Sequence, residues 1–245
     1  MNLVLNGPVI LALSMLACSC HGQTGKDTLL WKWSADSTHH NSIVQVACNG
    51  GTGTGVIIAL DKTQTVENGK LGFCLTAYHV VADDDGKNEV AITFRGGRKA
   101  KNCRVVAHDE QADVALIHVW IPNEVEPAKL AQKSVDDGDL LEFAGLGGGS
   151  DLSCCIRHFN AAASPPSSEQ KIYADATLLA GDSGGPVFND SGEVVGVISG
   201  GWFWYDGGVR SNNQEVGTTW PARASNLSPI QEIISKVDST VTIMR

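Results

Sequence analysis

The chain of 245 residues is 42% hydrophobic, 18% charged and 6% aromatic, a globular composition with enough apolar mass for one or two domains. Eighteen Lys plus Arg against 27 Asp plus Glu leave a net charge of −9, which repels phosphate backbones and argues against nucleic acid as a partner. The 27 glycines, with short apolar runs set between Gly, Asn, Asp and Ser clusters, are the punctuation of many short strands, so an all-β fold is expected.

Residues 1–22 hold no Lys, Arg, Asp or Glu, and Val9 to Ala17 is an apolar run ending in Ala17-Cys18-Ser19-Cys20. Its length fits a signal-peptide core and is too short to span a membrane, although Met1 to Pro8 lacks the positive charge of such leaders. Export is the expectation, to the periplasm or beyond, with an apolar tail as the alternative. Met15-Leu16-Ala17-Cys18 partly resembles a lipoprotein cleavage box, which makes Cys18 or Cys20 a candidate lipid anchor. Residues 23–40 are expected to be a linker. Five further cysteines, Cys48, Cys74, Cys103, Cys154 and Cys155, are an odd number and permit up to two disulfides in an oxidising compartment. Cys154-Cys155 with His158 matches no standard zinc spacing and falls in a strand-like run, so these read as alternating strand side chains, and no metal is expected.

Strand-like runs then recur at residues 43–48, 55–60, 71–76, 89–94, 103–107 and 114–121. Six strands suit a small closed barrel, assigned to residues 41–125. Gly51-Thr52-Gly53-Thr54-Gly55 lacks the Lys-Ser or Lys-Thr of a phosphate loop and leads into a strand, so it reads as a glycine-rich turn. Arg95, Arg98, Lys99, Lys101 and Arg104 read as a solvated hairpin. After a polar connection at 123–137, runs at 140–144, 152–159, 172–174, 186–188, 194–199 and 217–220 make a second unit over residues 126–227. Residues 205–216 read as a polar loop. Ser228 as cap, Pro229 at the first helical position, and Ile230, Ile233, Ile234 and Val237 on one face predict a helix within residues 228–245, packed on the second unit.

The chemistry concentrates in Gly181-Asp182-Ser183-Gly184-Gly185-Pro186. A Ser between glycines can be approached by another molecule, which makes Ser183 a candidate nucleophile. The same segment fits the nucleophile elbow of α/β-hydrolases, but all seven histidines, at 21, 39, 40, 79, 108, 118 and 158, precede Ser183, and that family needs its His last. A subtilisin order needs an acid before the His and a parallel α/β scaffold, for which there are too few helical segments. The order that remains is His, Asp, Ser. Thr76-Ala77-Tyr78-His79 places His79 where a strand meets a loop, and Ala112-Asp113-Val114-Ala115-Leu116 places Asp113 at the head of a buried-looking strand. His39, His40, His108, His118 and His158 lack such a context and read as surface or packing residues.

With these motifs the chain, over roughly residues 40 to 237, resembles trypsin-like serine proteases of the chymotrypsin superfamily. Gly53-Thr54-Gly55-Val56-Ile57-Ile58 and the compact length are closer in style to bacterial Deg-type proteases, without a PDZ domain. The resemblance implies two tandem six-stranded antiparallel β-barrels with a C-terminal helix, His79 and Asp113 in the first and Ser183 in the second. It implies Ser183 as nucleophile, His79 as general base and acid, Asp113 as its orienting partner, and the N–H groups of Gly181 and Ser183 as oxyanion hole. No cofactor is implied, and the partner is a protein or peptide substrate. Ser199-Gly200-Gly201 resembles the segment that pairs with substrate backbone, and the main specificity position falls on Thr177, with Leu178 beside it. No acid stands there, so an uncharged, small or medium apolar residue before the scissile bond is expected. Trp202, Phe203, Trp204 and Tyr205 form either an apolar subsite or core.

Digestive members of that family are activated by a cut before Ile-Val-Gly-Gly, whose new ammonium pairs with the Asp beside the nucleophile. Here the segment reads Ser42-Ile43-Val44-Gln45-Val46, with no basic residue before Ile43. Asp182 is therefore expected to find an internal donor, Arg157, Lys171 or backbone N–H groups, and the enzyme to need no such cut. Two further classes stay open: a catalytically silent homologue that binds protein, and an esterase using the same triad.

Overall fold

The computed structural model describes residues 32–34, 38–60, 64–84, 89–147, 156–164, 167–174, 177–200, 202–205, 208–211 and 222–237. Strand β1 (Lys32–Ser34), in the segment expected to be a linker, is followed by a 3-10 turn at Thr38–Ser42. Then come β2 (Ile43–Cys48), β3 (Gly51–Ile58), β4 (Gln64–Val66), β5 (Gly69–Thr76), the short helix α1 (Tyr78–Val81), β6 (Val90–Thr93), β7 (Lys99–Asp109) and β8 (Val114–Pro122). They pair antiparallel in the order β3-β2-β6-β7-β8-β5, and β5 returns to β3, closing a six-stranded barrel with β4 as an added flap. Closure leaves no exposed edge in the ring.

Gly51-Thr52-Gly53-Thr54-Gly55 proves to be strand. The reversal lies earlier, at Asn49-Gly50, where both residues have positive φ (46° and 83°) and Cys48 pairs with Gly51, the two-residue hairpin that Asn-Gly favours. The glycines within β3 answer to crowding instead. A Cβ on Gly55 would stand 2.7 Å from both Cys74 Sγ and Val46 Cγ2.

The second unit comprises β9 (Leu140–Gly145), β10 (Ile156–Ala162), β11 (Lys171–Ala174), β12 (Thr177–Leu178), β13 (Pro186–Phe188), β14 (Val194–Gly200), β15 (Trp202–Tyr205), β16 (Gly208–Ser211) and β17 (Ala222–Ser225), followed by helix α2 (Leu227–Lys236). The order β10-β9-β13-β14-β17-β11 closes through the Ala163–Ala174 bridge and the Ser164 N–H to Tyr173 carbonyl bond of 2.8 Å, with β1 added outside β10. β12, β15 and β16 form a small separate sheet. The stretch expected as a polar loop thus contains strand β16, paired antiparallel with β15, and the last barrel strand is β17. The run at 217–220 and Cys154-Cys155 lie outside the described residues. Cys48, Cys74 and Cys103 are buried; burial pushes the Cys103 thiol up to about 11, and burial together with the nearby Cys103 raises Cys74 further.

Helix α2 starts one residue before its expected cap. Asn226, not Ser228, is the N-cap: its Oδ1 accepts from Leu227 N–H at 2.7 Å and Val135 N–H at 3.3 Å, and its Nδ2 donates to the Ser168 carbonyl at 2.7 Å. The apolar face carrying Ile230, Ile233 and Val237 packs in one cluster with Val114 and Leu116 of the first barrel and Phe188 and Val194 of the second. The helix therefore lies across both barrels, because strands of both present apolar residues where it runs. Among the described residues no helix is long and apolar enough to cross a membrane. Since Asn226 is fully buried and joins three segments, Asn226→Ala is expected to lower unfolding free energy by about 2–4 kcal/mol in urea titration, more than a cap alone supplies.

Candidate functional site

His79 is the second residue of α1, directly after β5. Thr76 Oγ1, at the end of β5, donates to the Thr54 carbonyl at 2.7 Å, and Ala77 holds an extended conformation (φ −73°, ψ 142°) that turns the chain into the helix. Asp113 stands just before β8. The Asp109 carboxylate caps the preceding turn by accepting from Ala112 N–H at 2.9 Å, and Asp113 takes the left-handed conformation (φ 58°) that Asp tolerates better than most residues. The two meet directly: Asp113 Oδ1 accepts from the His79 backbone N–H at 2.9 Å, and Oδ2 lies 2.8 Å from His79 Nδ1. With Nδ1–H donating to the carboxylate, Nε2 is the basic atom of the ring.

Ser199, at the end of β14, completes this group by donating Oγ–H to Asp113 Oδ2 at 2.6 Å. Burial opposes ionisation of Asp113, but the hydrogen bond and charge interaction with His79, the Ser199 hydroxyl and the His79 backbone N–H outweigh it and hold the carboxyl below its usual range. Sequence reasoning placed Ser199 on the substrate side and missed this contact. The signal was a hydroxyl at the end of a buried apolar strand, a position where an unpaired polar group is costly.

Ser183 lies in a tight turn whose shape needs glycine. Gly181 and Gly184 have φ of 102° and 84°, and a Cβ on Gly184 would collide with the Thr54 carbonyl and Thr76 Oγ1. The turn is held by Gly185 N–H to the Asp182 carbonyl at 2.9 Å and Gly184 N–H to the Ile198 carbonyl at 2.7 Å. Among the described residues the N–H groups of Gly181 and Ser183 make no hydrogen bond. Thr54 fastens the turn to the first barrel. Its N–H donates to the Ser183 carbonyl at 2.8 Å, its hydroxyl donates to the Gly181 carbonyl at 2.6 Å, and the same hydroxyl accepts from Leu146 N–H at 3.0 Å. A Cβ on neighbouring Gly53 would stand 2.8 Å from both the Ser183 carbonyl oxygen and Val80 Cγ2, so the Ser183 turn and the His79 helix crowd the same point.

Asp182, 2% exposed, has its carboxylate held by backbone: Oδ1 accepts from Gly147 N–H at 2.8 Å and Oδ2 from Leu179 N–H at 2.7 Å. Of the donors expected, backbone N–H groups are present at both oxygens, while the Arg157 side chain lies outside the described residues. Ile43 is buried at the start of β2, paired with Val56.

Thr177 pairs with Trp202 in the β12–β15 sheet, its side chain lying outside the described residues, as do those of the 202–205 run. Leu178, expected at the substrate, is instead fully buried in the second core with Phe143, Val187 and Ile198, which withdraws its side chain from a cleft. Gly200 ends β14, and Gly201 lies outside the described residues. Of the other histidines, His108 stacks on Tyr78 at 4.5 Å, and His118 sits by Phe73, its pKa lowered by burial and by Arg104. His39, His40 and His158 gather around Glu142.

The family model for a trypsin-like peptidase domain matches residues 53–197. The chain is 30% identical over 153 residues to a "probable periplasmic serine protease do/HhoA-like" of Haemophilus influenzae, covering 60% of this chain and 30% of that one. It is 28% identical over 157 residues to the periplasmic pH-dependent serine endoprotease DegQ of Escherichia coli, with the same coverage. The chain thus spans less than a third of the length of these curated relatives. Among solved structures, a serine endoprotease from Yersinia pestis superposes with a TM-score of 0.59 at 16% identity, covering 83% of this chain and 67% of that one. Rv3671c from Mycobacterium tuberculosis, in an inactive form, gives 0.57 at 19%, covering 84% and 90%. The structural likeness establishes the fold.

Because the folded-state pKa of Asp113 is depressed, its ionisation stabilises the fold fully above the unfolded value near pH 4, and that contribution is lost as pH falls through the lower folded value. The stability difference between the native chain and Asp113→Asn is therefore expected to shrink as pH falls below about 5, through the depressed folded value, in denaturant titrations. A constant difference across that range would mean the carboxylate is not held by His79 and Ser199.

Proposed function

We propose that this chain, which belongs to the trypsin-like peptidase family, is an exported serine endopeptidase working through His79, Asp113 and Ser183. The observation that carries the reading is the His79–Asp113–Ser199 group, which fixes one imidazole tautomer and leaves its basic nitrogen for a hydroxyl in the adjoining glycine turn. Export rests on the apolar leader and on the periplasmic names of the relatives.

In the proposed reaction Ser183 Oγ attacks the scissile carbonyl carbon while its proton passes to His79 Nε2. The carbonyl oxygen becomes an oxyanion that takes hydrogen bonds from the Gly181 and Ser183 N–H groups. Asp113 stabilises the imidazolium without taking its proton. As the intermediate collapses, the peptide C–N bond breaks and the leaving amine receives the proton from His79. The acyl ester on Ser183 is then hydrolysed by a water that His79 deprotonates in turn.

The backbone bonds to Asp182 support a turn that needs no new ammonium, hence no activating cut before Ile43. An acyl-enzyme burst is therefore expected from chain that is uncut at Ile43. Ser183→Ala and His79→Ala are each expected to lower kcat by about 10⁶-fold, since the attacking pair acts as a unit. Asp113→Asn is expected to cost about 10⁴-fold by favouring the wrong tautomer. Retention of peptidase activity by Ser183→Ala would overturn the assignment. Failure of a fluorophosphonate probe to label Ser183 would favour a binding-only role, and turnover of esters without peptides would favour an esterase.

Thr177, six residues before Ser183, carries no charge to receive Lys or Arg. In a peptide library, cleavage is expected after uncharged, small or medium apolar residues. Dominance of Arg and Lys at that position would refute the pocket assignment and direct attention to Asp175.

A further inference from the structure

Three histidines converge on one carboxylate away from the Ser183 turn. His39 and His40 lie in the 3-10 turn that leads into β2, while Glu142 lies in β9. His158 lies in β10, on the strand paired to β9 and two residues from the partner of Glu142, so the two are diagonal neighbours on one face. Glu142 Oε2 is 3.1 Å from His39 Nε2, and Oε1 is 2.5 Å from His40 Nε2 and 3.0 Å from His158 Nδ1. One donor atom from each of His39, His40 and Glu142 falls within 4.8 Å of the others. His40 is fully buried, and Phe188 packs edge-on beneath His39 at 4.7 Å, so the group has an apolar floor. On the open side, His39 and Glu142 line a pocket of about 330 Å³ with Asn160, Asn189, Asp190 and Ser191.

This is more imidazole than one carboxylate can use as a simple ion pair. Were all three rings protonated, three positive charges would crowd a half-buried site against a single negative one. Neutral rings instead offer lone pairs, and two imidazoles with a carboxylate are the borderline nitrogen and oxygen set that suits zinc. Ligands about 2.0 Å from a tetrahedral zinc ion stand roughly 3.3 Å apart; here Glu142 Oε2 is 3.1 Å from His39 Nε2 and the three donor atoms lie within 4.8 Å of one another, a spacing that small ring adjustments bring to that value.

We propose that His39, His40 and Glu142 bind a divalent first-row transition-metal ion, zinc foremost, with His158 orienting Glu142 from behind. Three protein ligands leave the fourth zinc position to water on the pocket side, which is also the route of entry. His158 takes the outer role because it is not among the residues whose donor atoms lie within 4.8 Å of one another, while its Nδ1 stands 3.0 Å from Glu142 Oε1, as partners of metal-bound carboxylates do. The ion would tie the chain entering the first barrel to β9 of the second, without touching His79, Asp113 or Ser183. The spacing of these residues along the chain follows no zinc motif, so sequence alone did not point here.

The test is calorimetric titration of Zn²⁺ into chelator-stripped full-length chain, with Co²⁺ absorption spectra and thermal unfolding in parallel. One equivalent of Zn²⁺ is expected to bind and raise Tm, and Co²⁺ to give d–d bands without a thiolate charge-transfer band, which separates this site from the cysteines. His39→Ala, at a partly exposed position, and the near-isosteric Glu142→Gln are each expected to weaken binding on the order of 100-fold, and His158→Ala on the order of 10-fold, with circular dichroism unchanged for His39→Ala. Absence of binding, a thiolate band, or equal affinity in the native chain and His39→Ala would each overturn the proposal.

Discussion

The side chain and backbone of Thr54 are what the rest of the site depends on. This one fully buried residue, in a first-barrel strand, holds the carbonyls of Gly181 and Ser183, takes the N–H of Leu146, and accepts from Thr76 at the end of β5, just before the helix that carries His79. The Ser183 turn and His79 come from different barrels, so their relative position is set by interbarrel contacts. Hydrogen bonds, which require a defined distance and direction, specify it more closely than non-directional apolar packing alone. The flanking glycines follow from this approach: side chains on Gly53 or Gly184 would push the barrels apart at the point where they must touch.

A second constraint is the buried carboxylate of Asp182. An uncompensated charge there would cost several kcal/mol, and here two backbone N–H groups on separate segments, Gly147 and Leu179, aim at its two oxygens. Satisfying it draws those segments in around the Ser183 turn. Gly145 and Gly147 are packed against this carboxylate so closely that a Cβ on either would stand 2.5 Å from Oδ1. Its burial and the shape of the turn are one feature.

Much of this was legible in sequence because alternation and chain order carry it. The six runs from Ile43 to Ile121 became the six strands of the first barrel, and the order of His79, Asp113 and Ser183 excluded rival folds before any geometry was known. What escaped were features with no period. The Gly51 to Gly55 run looked like a turn because glycine composition does not tell a reversal from a crowded strand, while the true turn was the Asn49-Gly50 pair. Asn226 displaced Ser228 as cap because tertiary partners, Val135 and Ser168, decided between two acceptable capping residues. Leu178 moved into the core because its distance from Ser183 along the chain says nothing about which face of a two-residue strand it occupies. Ser199 and the Glu142 cluster join residues 86 and about 100 positions apart, beyond the reach of any local pattern.

The Ser199–Asp113 bond gives the arrangement its coupling. Asp113 and His79 belong to the first barrel and Ser199 to the second, so the hydroxyl that steadies the acid arrives only when the barrels are docked. Removing it leaves Asp113 with His79 as its only side-chain partner among the described residues and frees the carboxylate to rotate, and the imidazole with it. Features that clamp the barrels, Thr54 at the turn and α2 across both cores, therefore also bear on the orientation of His79 through this bond. In the proposed reaction orientation matters more than strength, because proton transfer requires the ring nitrogen within hydrogen-bond reach of the attacking hydroxyl. Loss of interbarrel packing should accordingly impair the chemistry before it unfolds either barrel, since each ring of strands is closed by its own hydrogen bonds.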